Sequence, residues 1–284
     1  MTTSASVAPP SALTATGLMV RYSDRDVLHG INIHIEPGTV TAIVGPNGCG
    51  KSTLLKTLSR QLRPHAGQVQ IGQQDLARLS GRALAKVVGV LPQAPIVPER
   101  ITVGELVSRG RDPHRHWYQS WSQLDQTAVD DAIAHTALET LRDRPVDELS
   151  GGQRQRAWIA MLLAQQTEIL LLDEPTSFLD IAHQLDVLDL LQKLAHSKER
   201  TVVVVLHELT LAARHADTVI AMRDGRIVDF GSPVDTFTPR TLELVFDVKA
   251  RVIMDDVTGR PVIIPLRRIP DRVAETAAED GADG

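Results

Sequence analysis

Cysteine is almost absent. Cys49 is the single one in 284 residues, so no intramolecular disulfide can form, and the chain fits a reducing compartment. An excess of positive charge is missing too. Lys and Arg number 30 against 35 Asp and Glu, a net charge of -5 with a pI near 6.1, which argues against a dedicated nucleic-acid binder. No apolar run nears the roughly 18–20 residues needed to span a bilayer; Ile169–Leu172 and Thr201–Leu206 are far shorter. The opening MTTSASVAPPSA has no basic patch ahead of an apolar core, so it does not read as a secretory signal. Membrane contact is therefore expected only through a partner. There is no internal repeat, no heptad run and no cysteine cluster, which leaves coiled-coil and zinc-binding architectures without support.

What is present is 43% hydrophobic and 23% charged, suited to one large globular domain or two small ones. The chain is organised around Gly45–Thr53, GPNGCGKST. It fits G-x-x-x-x-G-K-[ST], with Gly45, Gly50, Lys51 and Ser52 in the fixed places. Before it stands the β-branched run VTAIV (Val40–Val44); after it Leu54, Leu55, Leu58 and Leu62 recur at helical spacing over Ser52–Leu62. A glycine-rich turn between strand and helix is the context in which this pattern cradles phosphate. The glycines let backbone N–H groups curl around an anion. The helix N-terminus adds partial positive charge, Lys51 a full charge for the β- and γ-phosphates, and Ser52 a hydroxyl for Mg²⁺. Cys49 lies inside this loop and reads as a small residue filling a serine-like slot.

Met1–Ala12 reads as a loose tail and structure begins near Leu13. Strands are expected at Leu18–Tyr22, Ile31–Ile35, Val40–Val44, Gln68–Ile71 and Val87–Leu91. From Ile101 to Leu163 apolar residues recur at helical spacing, predicting a mostly helical insert. Within it Gly110–Trp121 (GRDPHRHWYQSW) is too polar and aromatic for a simple helix. Strands return at Ile169–Asp173, Thr201–Leu206, Thr218–Met222 and Arg226–Asp229. Strands alternating with helices predict an α/β core with a mostly parallel sheet. The tail after Arg268 is rich in Ala, Asp and Glu and reads as loose.

Two further motifs carry chemistry. Ile169–Pro175, ILLLDEP, is a buried strand ending in two acids, at the sheet edge where α/β proteins bind ligands. Asp173 can reach Mg²⁺ as the acid of a Walker B strand does, and Glu174 can polarise an attacking water. Leu149–Arg156, LSGGQRQR, opens a helical run. Ser150 is a good N-cap, and Gly151 and Gly152 leave backbone amides open, a second anion site at a helix N-terminus.

Together these motifs resemble the ATP-binding cassette (ABC) proteins, whose order and spacing they share over about Leu13 to Val248. The resemblance implies a P-loop NTPase α/β core with a mostly parallel sheet, an N-terminal antiparallel β subdomain and an inserted helical subdomain at about 94–165. A C-terminal extension at 249–267 and a loose acidic tail at 268–284 follow. By the same resemblance Gln93 stands at the glutamine loop, Leu179-Asp180 at the D-loop and His207 at the switch histidine. Tyr22 takes the place of an aromatic that stacks on adenine. Gly45, Pro46, Asn47, Gly48, Cys49, Gly50, Lys51, Ser52 and Thr53 would hold ATP. Ser52, Gln93 and Asp173 would hold Mg²⁺, Glu174 would act as base, Gln93 would sense metal and water, and His207 would contact the γ-phosphate. In this family two cassettes face each other head to tail, so Ser150, Gly151, Gly152 and Gln153 would contact the partner's nucleotide. One departure is Glu208, where Asp is commoner after the switch histidine; another is Cys49 itself.

The subgroup is narrowed by Gly110–Trp121, by DEPTSFLDIAHQ (173–184) and by AWIAMLLAQ (157–165), which look like cassettes of bacterial iron–siderophore importers, a group that also serves haem and cobalamin uptake. Asp112 departs from it, standing where an aromatic is frequent. His114 and His116 read as a solvated pair rather than iron ligands. The resemblance implies a homodimer on the cytoplasmic face of the membrane, beneath integral-membrane permease subunits served by an extracytoplasmic binding protein, with no nucleic-acid partner. The grip on the permease is expected around Ala94–Arg100 and the segment to Trp121. A translation or repair cassette, an exporter subunit and a monomeric P-loop ATPase or kinase are the rival classes. A single cassette, no fused membrane domain and the complete LSGGQRQR octet weigh against them in turn.

Overall fold

Val40–Val44, Ile169–Asp173 and Thr201–Val205 are apolar at almost every position. Strands of that kind must be covered on both faces, and every residue of all three is buried. The computed structural model describes residues 11–93, 95, 100–116, 118–177, 179–197 and 200–270. Residues 1–10 of the expected N-terminal tail and 271–284 of the acidic tail lie outside the described residues, as do Ala94 and residues 96–99 of the expected permease grip.

The first part of the chain forms β1 (Leu13–Tyr22), β2 (Arg25–Ile35), β3 (Val40–Val44), α1 (Lys51–Leu58), β4 (Ala66–Ile71), the short β5 (Gln74–Asp75), α2 (Gly81–Val87) and β6 (Val88–Leu91). The middle contributes α3 (Val103–Ser108), α4 (Gln123–His135) and α5 (Gly151–Ala164), with a 3₁₀ turn at Arg109–His114. Then come β7 (Ile169–Asp173), α6 (Ile181–His196), β8 (Thr201–Val205), α7 (Leu209–His215), β9 (Thr218–Arg223) and β10 (Arg226–Gly231). The short α8 (Pro233–Thr236), α9 (Pro239–Phe246) and a hairpin of β11 (Val248–Met254) and β12 (Pro261–Arg268) follow.

Six strands make one sheet in the order β10-β9-β3-β8-β7-β6. All its pairings are parallel except β9 with β10. A second, antiparallel sheet runs β2-β1-β4-β5. Alternation along the central strands divides them between two cores. Ala42, Leu170, Leu172, Val202 and Val204 face a core shared with α3 to α7 and α9. Ile43, Ile169, Leu171, Val203 and Val205 face the antiparallel sheet, with Leu54, Leu55 and Leu58 of α1 in the same cluster. The phosphate-loop helix is thus packed in the layer between the sheets, which fixes where its N-terminus points.

Several bounds differ from expectation. β1 begins at Leu13, five residues before the alternation at Leu18–Tyr22 suggests. Register shifts flank Gly17 on both sides of the strand; a bulge there flips the inward parity between Ala15 and Leu18, so a strict period of two breaks. α1 ends at Leu58 rather than Leu62, because Arg60 turns into the left-handed region at φ 58°. The strand expected from Val87 begins at Val88, since α2, N-capped by the Ser80 side chain, runs through Val87.

Candidate functional site

The loop Gly45–Gly50 joins β3 to α1, so its amides gather at the helix N-terminus. Crowding dictates Gly45: a Cβ there would lie 2.3 Å from the Met222 carbonyl oxygen and 2.7 Å from Cys49 Sγ. Lys51 is buried, and its ammonium donates to the carbonyls of Gly45 (2.8 Å) and Pro46 (3.0 Å). An ammonium has three donors, so a third remains. Cys49 is buried, and burial pushes its thiol up, away from the reactive thiolate.

A cleft of about 560 Å³ opens over this loop. Asn47, Gly48 and Gly50–Thr53 form its floor, Val27 of β2 one wall, and Gln93, Glu174 and His207 the other. These last three come from the ends of β6, β7 and β8, strands that stand side by side. Ser52 Oγ donates to Asp173 Oδ1 at 3.2 Å, so a hydroxyl and a carboxylate meet below the cleft. Burial pushes the Asp173 carboxyl up, and the neighbouring Glu174 charge adds to this, against the Ser52 hydrogen bond.

Glu174 sits at φ 53°, left-handed backbone that few large side chains adopt. Its carboxylate is held from three sides: by Gln93 Nε2 at 2.8 Å, by Ser177 Oγ at 3.1 Å, and by a short contact with His207 Nε2. Burial alone would raise the Glu174 carboxyl. The His207 hydrogen bond and charge, with the Ser177 and Gln93 hydrogen bonds, outweigh it and hold the group below the usual range. Ser177 and Val27 belong to the site and carry no motif signal of their own. Ser177 could have been found as the residue three beyond Glu174 in a tight turn, where its amide bonds the Glu174 carbonyl.

Other expected site residues lie elsewhere. Ser150 N-caps α5 in a capping box with Gln153, and Gly151 and Gly152 open the helix. None of them lines the cleft over the phosphate loop. Asp180 caps α6, accepting from the His183 amide and bonding its ring. Tyr22 is 45% exposed at the end of β1; among the described residues it is Val27, not Tyr22, that lines the cleft. Glu208 accepts from Gln184 of α6 at 3.3 Å. His114 bonds the Gln165 carbonyl, while His116 bonds Arg82 and stacks on Tyr118. Arg111, whose role the sequence does not reveal, is buried and joins the 3₁₀ turn to Asp125 of α4 and to the Ala164 carbonyl of α5.

A phosphate loop on a mostly parallel sheet, with two acids and a histidine at the ends of adjacent strands, defines a P-loop nucleotide-binding domain. The sequence profile of the ABC transporter family matches residues 28–177, and the chain belongs to that family. It is 44% identical over 259 residues to the ferric enterobactin transport ATP-binding protein of Escherichia coli (strain K12), covering 91% of this chain and 96% of that one. To the iron(3+)-hydroxamate import ATP-binding protein of Bacillus subtilis (strain 168) it is 42% identical over 254 residues, 89% and 94% of the two chains. Among solved structures, a dimeric ATP-binding cassette in a post-hydrolysis state with ADP and phosphate superposes with a TM-score of 0.69 at 26% identity, over 78% of this chain and 98% of that one.

Proposed function

We propose that this chain hydrolyses ATP to drive uptake of a ferric siderophore, working as a pair of identical cassettes beneath a membrane permease. The observation that carries the catalytic reading is the convergence of Lys51, Ser52, Gln93, Glu174 and His207 on one cleft, with Asp173 bonded to Ser52 beneath it. The cargo reading is supported by the relatives' names and by the Gly110–His114 segment.

In this reading the loop amides and Lys51 bind the phosphates of ATP. Ser52, Asp173 and the amide oxygen of Gln93 offer the oxygen-rich ligand set that suits Mg²⁺. Bound there, the ion would neutralise charge on the transferred phosphoryl group. Glu174, whose carboxyl its donors hold below the usual range before nucleotide enters, accepts a proton from the attacking water and orients it. His207 leaves Glu174 for the γ-phosphate when nucleotide enters. Ser150 to Gln153 lie at a helix start away from the cleft, an arrangement that suits contact with the nucleotide of a second copy. No described helix is long and apolar enough to cross a membrane; in this reading the chain acts at the cytoplasmic face through its permease. An extracytoplasmic binding protein would deliver the chelate.

The test is whole-cell uptake of labelled ferric siderophore, haem and cobalamin, comparing the natural chain with Lys51→Ala. Loss of ferric-siderophore uptake alone is the expected result. Loss of haem or cobalamin uptake instead replaces the cargo and keeps the ATPase. Retention of all three overturns the assignment to this importer group.

A further inference from the structure

The turn between β9 and β10 lies outside every nucleotide-binding motif, yet it touches the phosphate loop from behind. The amide of Gly225 donates to the Cys49 carbonyl at 2.9 Å, and the Gly225 carbonyl accepts from the His29 amide of β2 at 3.0 Å. One residue therefore ties the loop to the strand beside it. Packing is equally close. A Cβ on Gly225 would fall 2.0 Å from the Val27 carbonyl oxygen and 2.8 Å from the His29 ring. A Cβ on Gly50 would sit 3.0 Å from Leu28 and 3.7 Å from the Gly225 Cα. Loop, turn and strand are stacked backbone on backbone, and Val27 is itself a wall of the cleft. Asp224 and Gly225 also line a second cavity of about 470 Å³ behind Pro46–Cys49.

The turn is anchored in its own right. Arg223 donates from both terminal nitrogens to the two oxygens of Asp247, at 2.8 and 2.9 Å, and to the Leu244 carbonyl. Asp247 ends α9 in left-handed backbone at φ 53°, and its carbonyl accepts from the Ile269 amide at 2.7 Å, where the C-terminal hairpin closes. Bidentate pairing of guanidinium and carboxylate fixes orientation as well as distance. The C-terminal part of the chain thereby holds the turn that holds the loop.

We propose that Gly225, braced by the Arg223–Asp247 pair, is a positioning residue for ATP, keeping the phosphate loop and the Val27 wall in their nucleotide-binding shape. This rests on the reading of Gly45–Thr53 as the ATP site. A Cβ at position 225 must displace the Val27 carbonyl or the turn, and either movement reaches the cleft.

The experiment measures affinity of the purified full chain for a fluorescent ATP analogue, together with its melting temperature. Gly225→Ala is compared with Gly30→Ala and Lys51→Ala. Gly30 has φ 71° against 70° for Gly225, but nothing lies within 4 Å of its added Cβ. The two alanines therefore share backbone strain and differ in the clash. Gly225→Ala is expected to weaken binding at least about tenfold, with Gly30→Ala within about twofold of the natural chain. In the assembled transporter the loss should appear as a raised KM for ATP with little change in kcat, because the hydrolytic residues are untouched. Equal affinities for Gly225→Ala and the natural chain overturn the proposal, as do equal losses in both alanine variants. If Gly225→Ala does not fold, Arg223→Met decides. Weakened binding at a native melting temperature supports the brace; unchanged binding removes it. Unweakened binding by Lys51→Ala would instead refute the ATP-site reading beneath it.

Discussion

Glu174 combines left-handed backbone, partial burial and three hydrogen-bond donors. Those donors outweigh its burial and hold its carboxyl below the usual range, which favours the ionised form that must accept a proton. Glu174→Gln keeps the shape and removes the proton acceptor. Turnover should fall about 10²–10⁴-fold while ATP still binds, measured as phosphate release by the assembled transporter; an unchanged rate removes Glu174 from the chemistry. Ser177 gives a subtler test. Its hydroxyl is one of the bonds that lower the Glu174 carboxyl. With Ser177→Ala that bond is lost and the carboxyl rises, so Glu174 protonates earlier as pH falls. The acid limb of kcat/KM, which reports the free enzyme, should move to higher pH. A limb that stays in place or moves lower argues that Ser177 does not tune the base.

At the level of elements, the inserted helices are held by a buried ion pair. Arg111 and Asp125 are each 7% exposed at their side chains and 2.9 Å apart. Burial would raise the Asp125 carboxyl, but hydrogen bonds from Ser122 and Arg111 outweigh it and leave the group lowered. A lowered folded-state value contributes stability that is present above the unfolded value, about 3.9, and is lost as pH falls through the folded one. Asp125→Ala strands a buried guanidinium and should destabilise by about 3–5 kcal/mol at pH 7. The gap in melting temperature between variant and natural chain should then narrow as pH drops below about 4. A constant gap across that range would show that the charge of Asp125 is not what stabilises the pair.

The same elements show what the sequence makes legible. Motif residues sit at strand ends and helix starts, where local pattern and chemistry coincide, so Lys51, Asp173, Glu174 and the α5 cap could be read directly. Gly17 hides the first half of β1 because a bulge breaks the period that reveals strands. Arg111 reads as one more charge in a polar segment; only the fold brings Asp125 and the Ala164 carbonyl to it. Val27 and Gly225 act through backbone proximity between strands remote in the chain, for which single-sequence patterns carry no signal. The hairpin of β11 and β12 likewise replaces what reads only as an extension at 249–267.

For the whole molecule, the decisive question is how many chains complete one ATP site. The cleft over the phosphate loop is lined by Lys51, Gln93, Glu174 and His207, while Ser150 caps a helix outside that lining. If two copies face each other head to tail, each site joins the phosphate loop of one chain to the Ser150 helix of the other. Lys51→Ala damages the first half and Ser150→Arg the second, so either variant alone should give inactive pairs. Mixed chains behave differently. In a pair of one Lys51→Ala and one Ser150→Arg chain, one site carries both defects and the other carries neither. An equal mixture forms mixed pairs about half the time, with one intact site in each, and should recover about a quarter of the natural number of sites. The measurement is ATPase activity of permease complexes reconstituted from each variant and from the mixture. Recovery on mixing requires a site shared between chains. If the mixture stays as inactive as its components although mixed pairs form, either the intact site cannot turn over beside a dead one or the site is not shared in this way. Pairs of one natural and one Lys51→Ala chain separate these two outcomes: they hold one intact site beside a dead one in either arrangement, so turnover by them would mean that the inactive mixture has no shared site.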